Sequence, residues 1–163
     1  GELIAKRGLR VGYVPQEDTF DPAKSCLEVV ADAIDPHLDH HEREVRAYQI
    51  LDRAHFPDSS ALTATLSGGW RKRLAIVRQL AREPDLMLMD EPTNHLDLEG
   101  IQWLEDIIDQ ARFATLIVSH DRRFLEETAH RIIDLSRSYP EGFLSIDGTY
   151  SEFVEKREDF LAA

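Results

Sequence analysis

Apolar positions along the chain fall into short continuous runs separated by stretches with a helical period. Leu9–Val14 (LRVGYV) is rich in β-branched and aromatic residues and stops at Pro15, the pattern of a strand. Leu27, Val30, Ala31 and Ile34 recur at helical spacing behind Ser25, a candidate N-cap, so 25–34 reads as a helix. Residues 42–54 read as a second helix with Val45, Tyr48 and Leu51 on one side. A third runs from about Trp70 to Arg82, with Leu74, Val77, Leu80 and Ala81 lining one face. Leu86–Met89 and Thr115–Val118 are apolar throughout and too short for helices, so both read as strands buried on both faces of a parallel sheet. Between them Ile101, Leu104, Ile107 and Ile108 mark 98–111 as an amphipathic crossover helix. The alternation from Trp70 to Ala129 predicts a layered α/β domain. Phe143–Ile146 reads as a last strand, Asp147-Gly148 as a turn and Tyr150–Leu161 as a closing helix.

Four groups of residues sit where these elements meet loops. The run Leu86–Met89 ends in Asp90 and Glu91, two carboxylates at the carboxyl end of a strand, where open α/β sheets bind ligands. An Asp there suits Mg²⁺, directly or through water, and the adjacent Glu can polarise an attacking water. The same acids also suit a plain strand-to-loop junction. Ser67-Gly68-Gly69 precedes a helix whose free N–H groups favour an anion, and Ser67 equally suits an ordinary N-cap. His120 follows the run Thr115–Val118, and Gln16 follows the run Leu9–Val14. Each of these two means little alone.

Composition narrows the setting. The 163 residues suit one domain, or a large piece of one, with a sizeable core. A net charge of −12, from 31 acidic against 19 basic residues, repels bulk nucleic acid unless cations are concentrated locally. The basic residues Arg71, Lys72, Arg73, Arg78 and Arg82 cluster on the third helix and read first as a solvated face, with a nucleotide or RNA contact as the alternative. His37, His40 and His41 have acids around them and no cysteine nearby, which argues against a metal set. The one cysteine, Cys26, reads as a packed apolar thiol and suits a reducing compartment. No apolar stretch nears the roughly 20 residues of a membrane-spanning helix. The chain opens at Gly1 without an initiator Met, so truncation is expected.

In order and wording, Gln16, Leu66–Trp70 (LSGGW), Leu86–Asp97 (LMLMDEPTNHLD) and Ser119–Asp121 (SHD) together resemble the ATP-binding-cassette ATPases. Trp70, Asn94-His95-Leu96-Asp97 and Ser119–Leu125 resemble the ABC-F group, soluble proteins with two cassettes on one chain, many of which act on ribosomes. The resemblance implies a P-loop NTPase-like α/β fold with a helical subdomain. It implies Gln16 as the Q-loop residue meeting Mg²⁺ and the attacking water, and Asp90 as the Walker B ligand of Mg²⁺. Glu91 becomes the catalytic glutamate and His120 the switch histidine at the γ-phosphate. Ser67, Gly68 and Gly69 become the signature that grips ATP held by an opposing cassette, with Asp97 closing the D-loop and His95 structural. The implied divisions are 1–16 in the ATPase core, 17–82 as the helical subdomain, 83–147 again in the core, and 148–163 opening an interdomain linker. The implied partners are a second cassette and the ribosome, with ATP and Mg²⁺ as the only small ligands, in the cytoplasm and away from membranes.

One element of the family is missing. None of the eight glycines begins a Gly-x-x-x-x-Gly-Lys-Ser/Thr loop, whose amides and lysine cradle phosphates. In the family that loop precedes the run Leu9–Val14, so the chain is expected to open just past it and to be inactive by itself. Loss of the strand feeding that loop is expected to expose an unpaired edge beside Leu86–Met89. The alternative readings are a transporter's nucleotide-binding domain, whose wording near residues 94–97 differs, and a non-catalytic binding module.

Overall fold

A computed structural model describes residues 4–162, which divide into two compact units at Val118–Ser119. The first unit begins with strand β1 (Val11–Val14) and helices α1 (Cys26–Ala33) and α2 (His40–Arg53). A single 3₁₀ turn at Thr63–Thr65 leads to helix α3 (Gly68–Leu80), strand β2 (Leu86–Asp90), helix α4 (Leu98–Asp109) and strand β3 (Ala114–Val118).

Side chains start these helices where the sequence offers acceptors. Ser25 and Glu28 form a reciprocal capping box on α1, with the Ser25 N–H donating to Glu28 Oε2 at 2.8 Å. Asp39 opens α2 by accepting from the Glu42 N–H at 2.8 Å. Between the helices lies a core of Cys26, Val29, Val30, Ala47, Leu51, Leu74 and Val77. Cys26 is fully buried, and burial pushes its thiol pKa up, so it packs as a small apolar group.

The three strands are parallel in the order β1-β2-β3, with Val14 opposite Met89 and Met89 opposite Ile117. The central β2 is therefore paired on both sides, and the expected open edge at Leu86–Met89 is absent. The outer strands form the edges. Burial on both faces also fails as an expectation. Val14, Met87 and Met89 are buried on one face, while Val11, Tyr13, Leu116 and Val118 are exposed on the other, with Val118 at 57%. Continuous apolar runs predicted two covered faces, but nothing within the first unit covers the second.

In the second unit, helix α5 (Arg122–Thr128) leads to strands β4 (Arg131–Leu135) and β5 (Phe143–Asp147) and helix α6 (Tyr150–Ala162). The strands form an antiparallel pair with Arg131 opposite Asp147, and these two ends are ion-paired. Tyr139 in their connection donates to Asp134 at 2.6 Å and accepts from Arg157 of α6 at 3.0 Å, tying the hairpin to that helix.

Candidate functional site

Because β1 and β2 are parallel and in register, the chain leaves both at the same end of the sheet. Pro15-Gln16 follows one strand, and Asp90-Glu91 ends the other. Gln16 is exposed, Asp90 is half-buried and Glu91 is 8% exposed. The Glu91 N–H donates to the Val118 carbonyl at 2.7 Å, and its own carbonyl accepts from Asn94 at 3.1 Å. Between these bonds Glu91 takes a left-handed backbone, φ +47°. Such a conformation is costly for a residue with a Cβ and persists only where surroundings impose it, as happens at working sites.

Ser67 caps α3, with its hydroxyl oxygen accepting the Trp70 N–H at 3.4 Å. The N-cap reading is met: one hydroxyl satisfies one amide, and the Ser67–Gly68 surface at the helix start is exposed. The two glycines face His95, which is exposed and itself left-handed at φ +68°. A Cβ on Gly69 would stand 2.9 Å from the His95 carbonyl oxygen, so only glycine allows this approach. Asp97 caps α4 by accepting the Gly100 N–H at 2.8 Å. Ser67–Gly69 and Asn94–Asp97 are thus one packed surface.

The basic cluster on α3 is not a solvated face. Lys72 is 1% exposed, and its Nζ meets Asp18 Oδ2 at 2.7 Å and donates to the carbonyls of Pro15 at 2.8 Å and Gln16 at 3.0 Å. The Asp18 side chain is 4% exposed, and burial pushes its carboxyl pKa up although Lys72 pulls the other way. Arg71 donates to the carbonyls of Thr63 and Asp18, both at 3.2 Å, and lies over Phe20. Arg78 also stacks on Phe20, 4.7 Å from its centroid, and only Arg82 is exposed. Lys72 and Asp18 form a buried pair that the basic wording of the helix does not reveal. The available signal was Leu74–Val77, apolar all round, which marks a helix buried on every side and requires partners for any cation it carries.

His120 is exposed and belongs to the second unit, one residue before Asp121, which caps α5 at the Phe124 N–H, 3.0 Å away. Among the described residues no three His, Cys, Asp or Glu side chains gather as a metal site. Asp90 with Gln16 suits Mg²⁺ nonetheless, since that ion is commonly held by one or two carboxylates with phosphate oxygens and water filling the rest.

The family model described as ABC transporter matches residues 2–94, more than half of the chain. The chain belongs to the ATP-binding-cassette family. Its mixed α/β architecture is that of the family's ATPase cassettes. The cassette MJ0796, solved as a dimer in a post-hydrolysis state bound to ADP and Pi, superposes with a TM-score of 0.70. It is 27% identical, over 86% of this chain and 64% of that one. Among curated relatives, the energy-dependent translational throttle protein EttA of Escherichia coli K12 is 31% identical over 199 positions, covering 99% of this chain and 35% of EttA. The ATP-binding protein Uup of Buchnera aphidicola is 32% identical over 98% of this chain and 27% of its own length. These relatives agree with the ABC-F resemblance. The cassette chain spans about a third or less of their length. Among its described residues no helix is long and apolar enough to cross a membrane.

Proposed function

We propose that this chain is an ATP-hydrolysing cassette of an ABC-F-type protein that acts in translation. The observation that carries the reading is Glu91, nearly buried and held left-handed at the end of β2, between Asp90 and the family's D-loop sequence. In this reading Glu91 accepts a proton from the attacking water, and Gln16 orients that water. Asp90 and Gln16 hold Mg²⁺, partly through water. The ion, when bound, neutralises charge building on the phosphate oxygens. His120 contacts the γ-phosphate.

Ser67, Gly68 and Gly69 serve a nucleotide held by an opposing cassette, with Asp97 completing that interface. Because the 163 residues hold no Gly-x-x-x-x-Gly-Lys-Ser/Thr loop, turnover requires that loop from other residues. The divisions at 16, 82 and 147 follow the same reading: core, helical subdomain, core and linker. EttA's description as an energy-dependent translational throttle supports a ribosomal partner and a cytoplasmic setting. No small substrate beyond ATP is required.

A transporter cassette is the second reading, supported by the likeness to MJ0796, which is described as a bacterial ABC transporter cassette. One experiment separates the two. The protein as the cell makes it, carrying Glu91→Gln to stall turnover, is sedimented with ribosomes with and without ATP. Co-sedimentation that depends on ATP supports the translational reading. Recovery with a membrane complex in place of ribosomes overturns it.

A further inference from the structure

Arg73 is 4% exposed, so its charge is withdrawn from water. Its Nη1 is buried without a hydrogen-bond partner among the described residues. What surrounds it is aromatic. The guanidinium lies 4.7 Å from the centroid of Trp70, on its own helix, and 5.2 Å from that of Trp103 on α4. Its Nη2 points at Asp97 Oδ1 from 3.7 Å, too far for a hydrogen bond.

We infer that Arg73 is a positioning residue that holds the loop Asn94–Asp97 against the start of α3 by stacking between the indoles of Trp70 and Trp103. Magnitudes favour the rings over the ion pair. The Asp97 carboxylate is 77% exposed, so its pull on Arg73 is screened and weak. A guanidinium withdrawn from water and placed on two indoles gains more. Arg suits this place and Lys does not, because only the planar guanidinium presents flat faces to rings. The stack joins α3 to α4, and the two helix starts it ties carry Ser67 and Asp97. The Gly69–His95 contact closes the same seam from its backbone side. On the proposed function, the surface offered to a partner's nucleotide then moves as one body. That consequence rests on the nucleotide reading; the seam itself does not.

The test uses the 163-residue chain without nucleotide, so either reading can fail while the other stands. Amide hydrogen exchange is followed in Arg73→Met and Arg73→Lys, with β2 as the internal reference. Arg73→Met is expected to exchange roughly tenfold faster across 94–100 while β2 is unchanged. Arg73→Lys is expected to match it, because Lys restores only the ion pair. Trp70 and Trp103 are the chain's only tryptophans, so its indole emission reports on these rings alone. Acrylamide quenching is expected to rise in both variants and to stay at the parental level in Arg82→Met. Parental exchange across 94–100 in Arg73→Met, or its recovery in Arg73→Lys, overturns the inference. Should Arg73→Met lose β2 protection as well, Trp103→Leu decides, since it removes one ring and keeps the charge. Faster exchange across 94–100 then supports the inference, and an unchanged rate overturns it.

Discussion

The His95 carbonyl oxygen stands 2.9 Å from the position a Cβ would take on Gly69, so two backbones meet with no side chain between them. Gly69→Ala must therefore push the His95 loop away from α3. A cost of about 1–3 kcal/mol is expected, as for other overpacking changes. At Gly68 the new methyl would meet the His95 side chain at 3.4 Å, an ordinary contact. Gly68→Ala is expected to be neutral or slightly stabilising, since Ala favours helix by up to about 1 kcal/mol. Urea unfolding of both variants checks the contrast, and equal costs would contradict it.

Lys72 and Asp18 bury opposite charges against the backbone of Pro15 and Gln16. Lys72→Met strands a carboxylate, and about 3–5 kcal/mol of stability is expected to go with it. Asp18→Asn strands the ammonium less severely, because two carbonyls still accept from it. A double-mutant cycle is expected to give a large coupling, with the double variant more stable than the sum of single losses predicts. Additive losses would remove the pair as the tie between the residues after β1 and α3.

Glu28 accepts from the Ser25 backbone N–H and from its hydroxyl, and both bonds hold its carboxyl pKa below the usual 4.5. A depressed pKa contributes stability that is present above the unfolded value and is lost as pH falls through the folded value. Asp18 has the opposite sign, because burial raises its pKa and favours the protonated form in the folded chain. Thermal midpoints measured from about pH 5 down to pH 3 are expected to fall less steeply in Glu28→Gln than in the parent chain. An unchanged slope would show that the capping box is not formed in solution.

The helices were legible because their cap residues and apolar spacing agree, as at Ser25 with Val30 and at Asp97 with Leu104. The parallel sheet was legible as strands but not in its faces or edges, since an apolar run carries no record of what covers it. Strand β4 escaped notice because Arg131 and Asp134 interrupt Ile132-Ile133, and its pairing partner lies beyond a long connection rather than a tight turn. At the candidate site, motif wording singled out Gln16, Asp90, Glu91 and Asp97 for the proposed roles. It could not show Glu91's left-handed backbone, the Gly69–His95 approach or the burial of Lys72 and Arg73. Those are properties of contacts between segments far apart in the chain.

The exposed sheet face carries Val11 and Tyr13 on β1 and Leu116 and Val118 on edge strand β3, which pairs only with β2 among the described residues. An apolar edge of this kind is a template for pairing with another copy. Light scattering of the chain is expected to show concentration-dependent association that Leu116→Lys reduces. A monodisperse monomer at high concentration would contradict this.

The central claim is that Glu91 is the base of an ATPase, and the most direct measurement is turnover of Glu91→Gln in the protein as the cell makes it. Gln keeps the shape of Glu91 and removes its charge. ATP hydrolysis is expected to fall by roughly 10²–10⁴, the range for a positioned base. ATP binding, measured by calorimetry on the same variant, is expected to survive. Turnover equal to that of the parent would contradict the account.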